Sequence, residues 1–198
     1  MKSVLAAFLI VASLTGCTHL SAGQSGSAAD TAVILAPDLR LDLPQPAAMG
    51  RSIEAVQMVS AHRDGKTMVF EAHLSITPER VLLVGVDPTG QRLMTVTWRG
   101  TAITVEKSPF LPKEVQPGAM LADLVVLYWP EAVVRQALAA SGATLATDAA
   151  GRQVFLHGKP IVEATYQKGS SDPWVGGLHY RNLAWGYDID VETLQVTQ

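Results

Sequence analysis

Few side chains in this sequence are spaced to do chemistry. Its single cysteine, Cys17, has no partner for an intramolecular disulfide, so its thiol needs another use. His19, His62, His73, His157 and His179 show no metal-ligand spacing, which assigns them surface or sheet-edge roles rather than a metal centre. Asp188 and Asp190 stand two apart in a strand-like segment and share a face, as an acid–base pair would. Carboxylates alternating out of a last strand are more often a solvated face. Ser170-Ser171-Asp172 reads as loop polarity, not as a nucleophile with its orienting acid. There is no Gly-x-Ser-x-Gly elbow, phosphate-binding Gly-rich loop, His-Glu-x-x-His or Cys-x-x-Cys. Catalysis on an acyl substrate would need a buried histidine or carboxylate with a shifted pKa beside a cavity. The expectation is a protein that is not an enzyme and carries no cofactor or metal.

Cys17 finds its use in its surroundings. Met1-Lys2-Ser3 carries one positive side chain, and residues 4–14 form an almost wholly apolar run ending in Leu14-Thr15-Gly16-Cys17. A basic start, an apolar core of roughly 7–15 residues and small residues at its end make a secretory signal. Spanning a bilayer takes about 20 apolar residues, and this run is shorter. The Leu-Thr-Gly-Cys tetrad resembles the bacterial lipobox. That resemblance implies diacylation of the Cys17 sulfur, cleavage before it, and acylation of the new amine. Residues 1–16 are then a signal peptide, and N-terminal acyl chains hold the mature protein to a membrane, facing the periplasm. Each buried methylene adds about 0.8 kcal/mol of attachment, and two or more chains make it stable. Thr18 stands where an aspartate would favour the inner membrane, so the outer membrane is the expected location.

Such cleavage removes one lysine, and the formal charge of −3 becomes −4. A mildly acidic surface offers nucleic acid no attraction. At 48% hydrophobic and 17% charged residues the chain can build a sizeable core, which must hold without a disulfide. Residues 18–30 are small and polar, a tether reaching ~20 Å. Pro37, Pro44 and Pro46 follow without clear periodicity, so residues 17–49 are assigned to the lipidated cysteine and tether. A single domain is expected from Gly50 to Gln198.

The most legible elements come next. Residues 51–63 and 66–77 alternate in polarity around Asp64-Gly65, a two-residue hairpin turn. With those two residues as the loop, Met68, Phe70, Ala72, Leu74 and Ile76 share a face with Ala61, Val59, Gln57, Ala55 and Ile53. That face is apolar except for Gln57. Residues 80–86, 92–98 and 102–106 continue an antiparallel meander, which residues 109–117 break. Two helices are expected, over residues 118–129 and 131–140, divided by Pro130. The first places Met120, Leu121, Leu124, Leu127 and Tyr128 on one stripe. Strands return at 152–157, 161–167, 178–183 and 187–191. The order predicts an α+β fold, a curved antiparallel sheet with helices on one face.

Such a face can close on a dry core or leave an apolar cavity. In the first case Leu121, Leu124, Leu127 and Trp129 simply pack. In the second they line an acyl-chain site with Met68, Phe70, Leu74, Leu82, Val84 and Met94. Phe110-Leu111, held between prolines, either touches a bilayer or plugs the underside of the sheet.

The lipobox, the meander, Leu121-Ala122-Asp123-Leu124 with Tyr128-Trp129-Pro130, and an ending with Ile161, Tyr166, Trp174, Leu178, Tyr180, Asn182 and Gly186-Tyr187-x-Ile189 resemble a bacterial lipoprotein family of unknown function. Its members are often encoded in aryl-polyene and related fatty-acid-like biosynthesis clusters. The layout is also similar to the LolA/LolB superfamily, in which an incomplete antiparallel barrel, closed by helices, encloses an apolar cavity for the acyl chains of lipoproteins. The resemblance implies an outer-membrane lipoprotein that binds acyl or polyene lipid or lipoprotein chains and assists their transfer, with an exporter or a LolA-like carrier as partner. LolB exposes a leucine in an early inter-strand loop, whereas Asp87-Pro88-Thr89-Gly90 has none, leaving Phe110-Leu111 to take its place. The alternative is an accessory or scaffold subunit of a lipid export or biosynthesis complex with no ligand of its own.

Overall fold

The computed structural model describes residues 32–113, 115–167 and 172–198, so Cys17 and the expected signal lie outside the described residues. The meander forms as its alternation requires, in strands β3 (Ile53–Arg63), β4 (Lys66–Thr77), β5 (Arg80–Val86), β6 (Arg92–Arg99) and β7 (Ala102–Lys107). Asp64 and Gly65 both adopt positive φ (51° and 71°), the twist a two-residue hairpin needs. Arg63 pairs with Lys66, and Ile53–Ile76, Ala55–Leu74, Gln57–Ala72, Val59–Phe70 and Ala61–Met68 follow in the expected register.

Helices α1 (Pro117–Tyr128) and α2 (Glu131–Ala139) come next, divided by Trp129-Pro130. Proline in the first turn starts α1 at no cost, because the first helical N–H groups have no intrahelical acceptor. A second meander completes the chain: β8 (Ala143–Thr147), β9 (Gly151–Leu156), β10 (Lys159–Tyr166), β11 (Gly177–Asn182) and β12 (Tyr187–Thr197). Strand β8 lay outside the sequence expectation because Ala-Thr-Leu-Ala-Thr carries too little apolar contrast. His157, expected to end a strand, instead turns the chain with Gly158 at positive φ (51° and 77°).

The two meanders join where β3 pairs with β12, giving one antiparallel ten-stranded sheet in the order β7-β6-β5-β4-β3-β12-β11-β10-β9-β8. It does not close. Its edge strands are β7 and β8, and the helices lead from one to the other across the apolar face. The fold is thus the α+β antiparallel sheet with helices on one face that the element order predicts, left open as the resemblance implies.

One boundary is corrected. Residues 32–49 are not tether: β1 (Ala32–Ala36) and β2 (Leu39–Asp42) form a separate two-stranded sheet. Val33, Leu35, Leu39, Leu41, Leu43 and Met49 are all buried. Strand β1 packs on α1 and β2 on α2. Two strands of five and four residues give too short an alternation to read, and the nearby prolines obscured it. Each fully buried leucine contributes about 1.5–3 kcal/mol, enough to hold so short a segment in place.

Among the described glycines the tightest approach lies in the second meander, where a Cβ on Gly151 would overlap the carbonyl of Ala164 in β10. Gly151→Ala should therefore push β9 from β10 and lower stability by roughly 2 kcal/mol or more in urea melts; an unchanged midpoint would show that the strands part freely there.

Candidate functional site

The apolar interior gathers most of the side chains that the sequence singled out. Phe70, Leu74, Met94, Leu121, Leu124, Leu127 and Trp129 are buried in a single cluster, with Met68 half-buried at its margin. Gly85 supplies space that Met94 fills: a Cβ there would stand 3.0 Å from Met94 Cε and 3.6 Å from Phe70 Cδ2. Trp98 and Trp129 meet with ring centroids 5.7 Å apart. Two expected residues belong elsewhere. Leu83 pairs with Leu74, so Val81, Leu83 and Gly85 face the interior while Leu82 and Val84 lie beside Ser75 and His73 on the opposite face. Both parities of β5 are apolar, and a one-residue choice of parity inverts the whole strand.

Helix α1 is more deeply enclosed than a single stripe implies. Residues 121–128 are all buried, and eight successive helical positions point in every direction around the axis. Sheet lies on one side and hairpin β1–β2 on another. Asp123, in this apolar run, is 6% exposed. Tyr180 Oη donates a hydrogen bond to its Oδ1, and Tyr187 Oη donates to Oδ2 at 2.6 Å. Asn182 Nδ2 contacts both phenol oxygens at 3.4 Å and donates to the Leu35 carbonyl at 2.9 Å. Trp185 N–H donates to Asn182 Oδ1 at 3.0 Å. One polar knot therefore ties α1, β11, the start of β12 and β1. Burial pushes the Asp123 carboxyl up to about 6, against the lowering effect of the two tyrosine bonds.

The other end of α1 is answered as fully. Arg152 Nη1 donates to the carbonyls of Val126 and Trp129, both at 2.8 Å, and Tyr166 Oη donates to that of Leu127 at 2.6 Å. A cation on the last helical carbonyls also suits the helix dipole. Gln57, the one polar residue of the apolar strand face, donates to Tyr128 Oη at 3.0 Å and to Thr193 Oγ1 at 3.1 Å. Tyr128 stacks on Trp174 with centroids 3.9 Å apart. Sequence reasoning assigned no role to Asp123, Arg152 or Gln57. The available signal was a charge in an apolar helix and an amide on an apolar strand face, each of which needs a buried partner.

The opposite face of the sheet is polar and laddered. His179 Nδ1 and His62 Nε2 flank Asp190 at 2.8 and 3.3 Å, and Arg181 bridges Asp188 and Glu163 at 3.2 and 3.3 Å. His73 pairs with Glu71 at 2.6 Å. Asp188 thus sits in an ion pair with Arg181, and Asp190 lies between two imidazoles, on a solvated face. Among the described residues no group of three or more His, Cys, Asp or Glu is placed to hold a metal ion. Two concavities also open on this face. One, of about 250 Å³, lies beside Val56, His73, Leu82 and Val84; the other, of about 580 Å³, lies beside Met58, Tyr166, His179 and Asp190. Asp123 lines neither of these two. In the loop before α1 the expected pair divides: Leu111 is buried and Phe110 is 69% exposed.

These features define an open antiparallel half-barrel whose apolar interior is closed by a helix pair and a small hairpin. The chain belongs to the DUF3261 family, proteins of unknown function, whose family model matches residues 54–195. No curated protein matches it in sequence. Among solved structures it is similar to a LolA superfamily protein from Nitrosomonas europaea, at 9% identity and a TM-score of 0.39, over 78% of this chain and 87% of that one. It is also similar to a DUF1329 family protein from Desulfovibrio piger, at 8% identity and a TM-score of 0.35, over 77% and 89% of the two chains.

Asp123 gives stability a readable pH dependence. Its folded pKa of about 6 exceeds the ordinary 3.8, so the folded state holds the proton more tightly. The stabilisation from protonation is complete below about pH 4 and is lost as pH rises through about 6. The difference in unfolding free energy between wild type and Asp123→Asn should move in the variant's favour by up to about 3 kcal/mol from pH 4 to pH 7. Urea titrations across that range measure it, and a difference flat with pH would show that the carboxyl does not titrate there.

Proposed function

We propose that this chain is a non-enzymatic lipoprotein of the outer membrane, facing the periplasm, that takes acyl or polyene lipid, or the acyl chains of a lipoprotein, into its apolar interior and assists their transfer to that membrane. The observation that carries the reading is the layering of the interior. Sheet, helix α1 and hairpin β1–β2 meet through side chains, and neither the helix nor the hairpin shares a ladder with the ten-stranded sheet. Such layers can part and expose hydrocarbon-binding surface without breaking a strand pair. Phe70, Leu74, Met94, Leu121, Leu124, Leu127 and Trp129 would line the opened site, with Met68 at its mouth. Leu82 and Val84 have no part in it. Cys17 would carry the anchor, and an exporter or a soluble carrier would supply or receive the cargo.

A second reading has its own support. Trp98, Trp129, Trp174, Tyr180 and Phe70 fill the interior, and two concavities lie on the polar face. A filled core with an exposed Phe110 suits an accessory subunit that binds a lipid export or biosynthesis complex and holds no ligand.

Native mass spectrometry with lipid extraction separates the two. Residues 18–198, which include every described residue, would be purified from the periplasm without detergent. A co-purifying acyl or polyene species near one-to-one is the expected result. A protein that stays empty when offered fatty acids, phospholipids and lipopeptides would replace the carrier reading with the accessory one.

A further inference from the structure

Hairpin β1–β2 differs from the rest of the domain in three ways. It forms its own two-stranded sheet. It lies before residues 54–195, the span that the family model matches. It is also the described segment nearest in sequence to Cys17. Its composition is just as distinct. Leu35, Leu39 and Leu41 are 1%, 1% and 0% exposed, whereas Ile34 on the opposite side is 44% exposed. The leucines lie against a bed of apolar helix, with β1 over α1 and β2 over α2. Side chains of the body reach its backbone: Asn182 Nδ2 donates to the Leu35 carbonyl at 2.9 Å, and Ser141 Oγ donates to the Arg40 carbonyl.

A row of leucines on an apolar bed presents what an acyl tail presents, namely branched or linear hydrocarbon that asks for no hydrogen bond. A five-residue strand is about 17 Å long, on the scale of a long-chain tail. Exchange of one for the other keeps α1 covered throughout, so the buried face of the helix never meets water. We propose that hairpin β1–β2 occupies the lipid site of the empty protein, with Leu35, Leu39 and Leu41 standing where a long-chain acyl or polyene tail lies on α1 and α2, and that lipid binds by displacing it. This rests on the lipid-binding reading above and narrows its site to the surface of α1 and α2 that the hairpin covers. These backbone contacts make the hairpin a latch: on release Asn182 and Ser141 let go, and the leucines leave together. Apparent affinity is then scaled by the fraction of molecules in which the latch is open.

A cysteine pair tests this. In residues 18–198, which lack the single native cysteine, Arg40→Cys with Ser141→Cys places the only two thiols where hairpin and body touch. Binding of cis-parinaric acid, a fluorescent polyene fatty acid, is titrated before and after reduction, with circular dichroism checking that both forms keep the parent fold. The oxidised form should bind on the order of tenfold more weakly than its own reduced form. Equal affinity in the two forms would overturn the displacement proposal while leaving lipid binding intact. Failure of the parent chain and of both forms to take up the probe would instead overturn the lipid-binding reading, and the latch with it. Hydrogen–deuterium exchange on the unsubstituted chain gives a second measure: the probe should speed exchange in residues 32–42 and slow it in 117–139, and slower exchange in both would refute displacement.

Discussion

A helix with no side open to water must have its polar groups answered by its neighbours, and α1 sets that requirement for the whole domain. Its one carboxylate is met by Tyr180 and Tyr187, its last carbonyls by Arg152 and Tyr166, and the hydroxyl of Tyr128 by Gln57. Removing a single partner would leave a buried group unsatisfied, at about 1–3 kcal/mol each. These partners come from β3, β9, β10, β11 and β12, so α1 determines how the two halves of the sheet stand relative to one another. The apolar layers supply most of the energy. The polar contacts at the two ends of the helix select its position.

The topology follows from the same arrangement. Each meander is a set of local hairpins, but the sheet is whole only when β3, from the first, pairs with β12, from the second. That pairing joins residues far apart in sequence, so the loop between them is closed before it is rewarded by contacts. The helices occupy that loop and cover the apolar face, doing what closure into a barrel would do for the interior. The edges remain: β7 carries Glu106 and Lys107 near its end, and α2 packs against β8. Charge on one edge and a helix against the other are two ways of discouraging strand addition.

The two faces of the sheet have opposite chemistry, and this bears on function. On the solvated face, carboxylates, histidines and Arg181 pair across strands at partly exposed positions. Such pairs contribute little each and are weakened by salt. On the interior face the hydrocarbon is dense, and Asp123, Gln57 and Asn182 are met by hydrogen-bond partners while the indole N–H groups of Trp129 and Trp174 are buried without one. A site for an ionic or sugar-like ligand finds no preparation in that interior. The hairpin shares no ladder with the ten-stranded sheet and lies against the helices.

Much of the fold was legible because it is written in short-range pattern. The period-two alternation of residues 53–76 and the Asp64-Gly65 turn determined a register that the structure reproduces pair for pair. Pro130 divided the helices, and the order of elements indicated a curved antiparallel sheet with helices on one face. Where pattern was weak, the reading failed or stopped. The two apolar parities of β5 could not tell Leu83 from Leu82, the brief alternation of residues 32–42 was taken for tether, and β8 was passed over. Asp123, Tyr180, Asn182 and Tyr187 were visible only as scattered motif residues. Their meeting depends on the packing of α1 against strands some sixty residues away, which no local signal records. The sequence by itself determined which residues turn inward wherever polarity alternates, because backbone geometry enforces that choice locally. Whether those residues enclose a space or fill it was decided only in the tertiary structure, since that depends on which distant hydrocarbon, here a leucine hairpin, comes to lie on the helix.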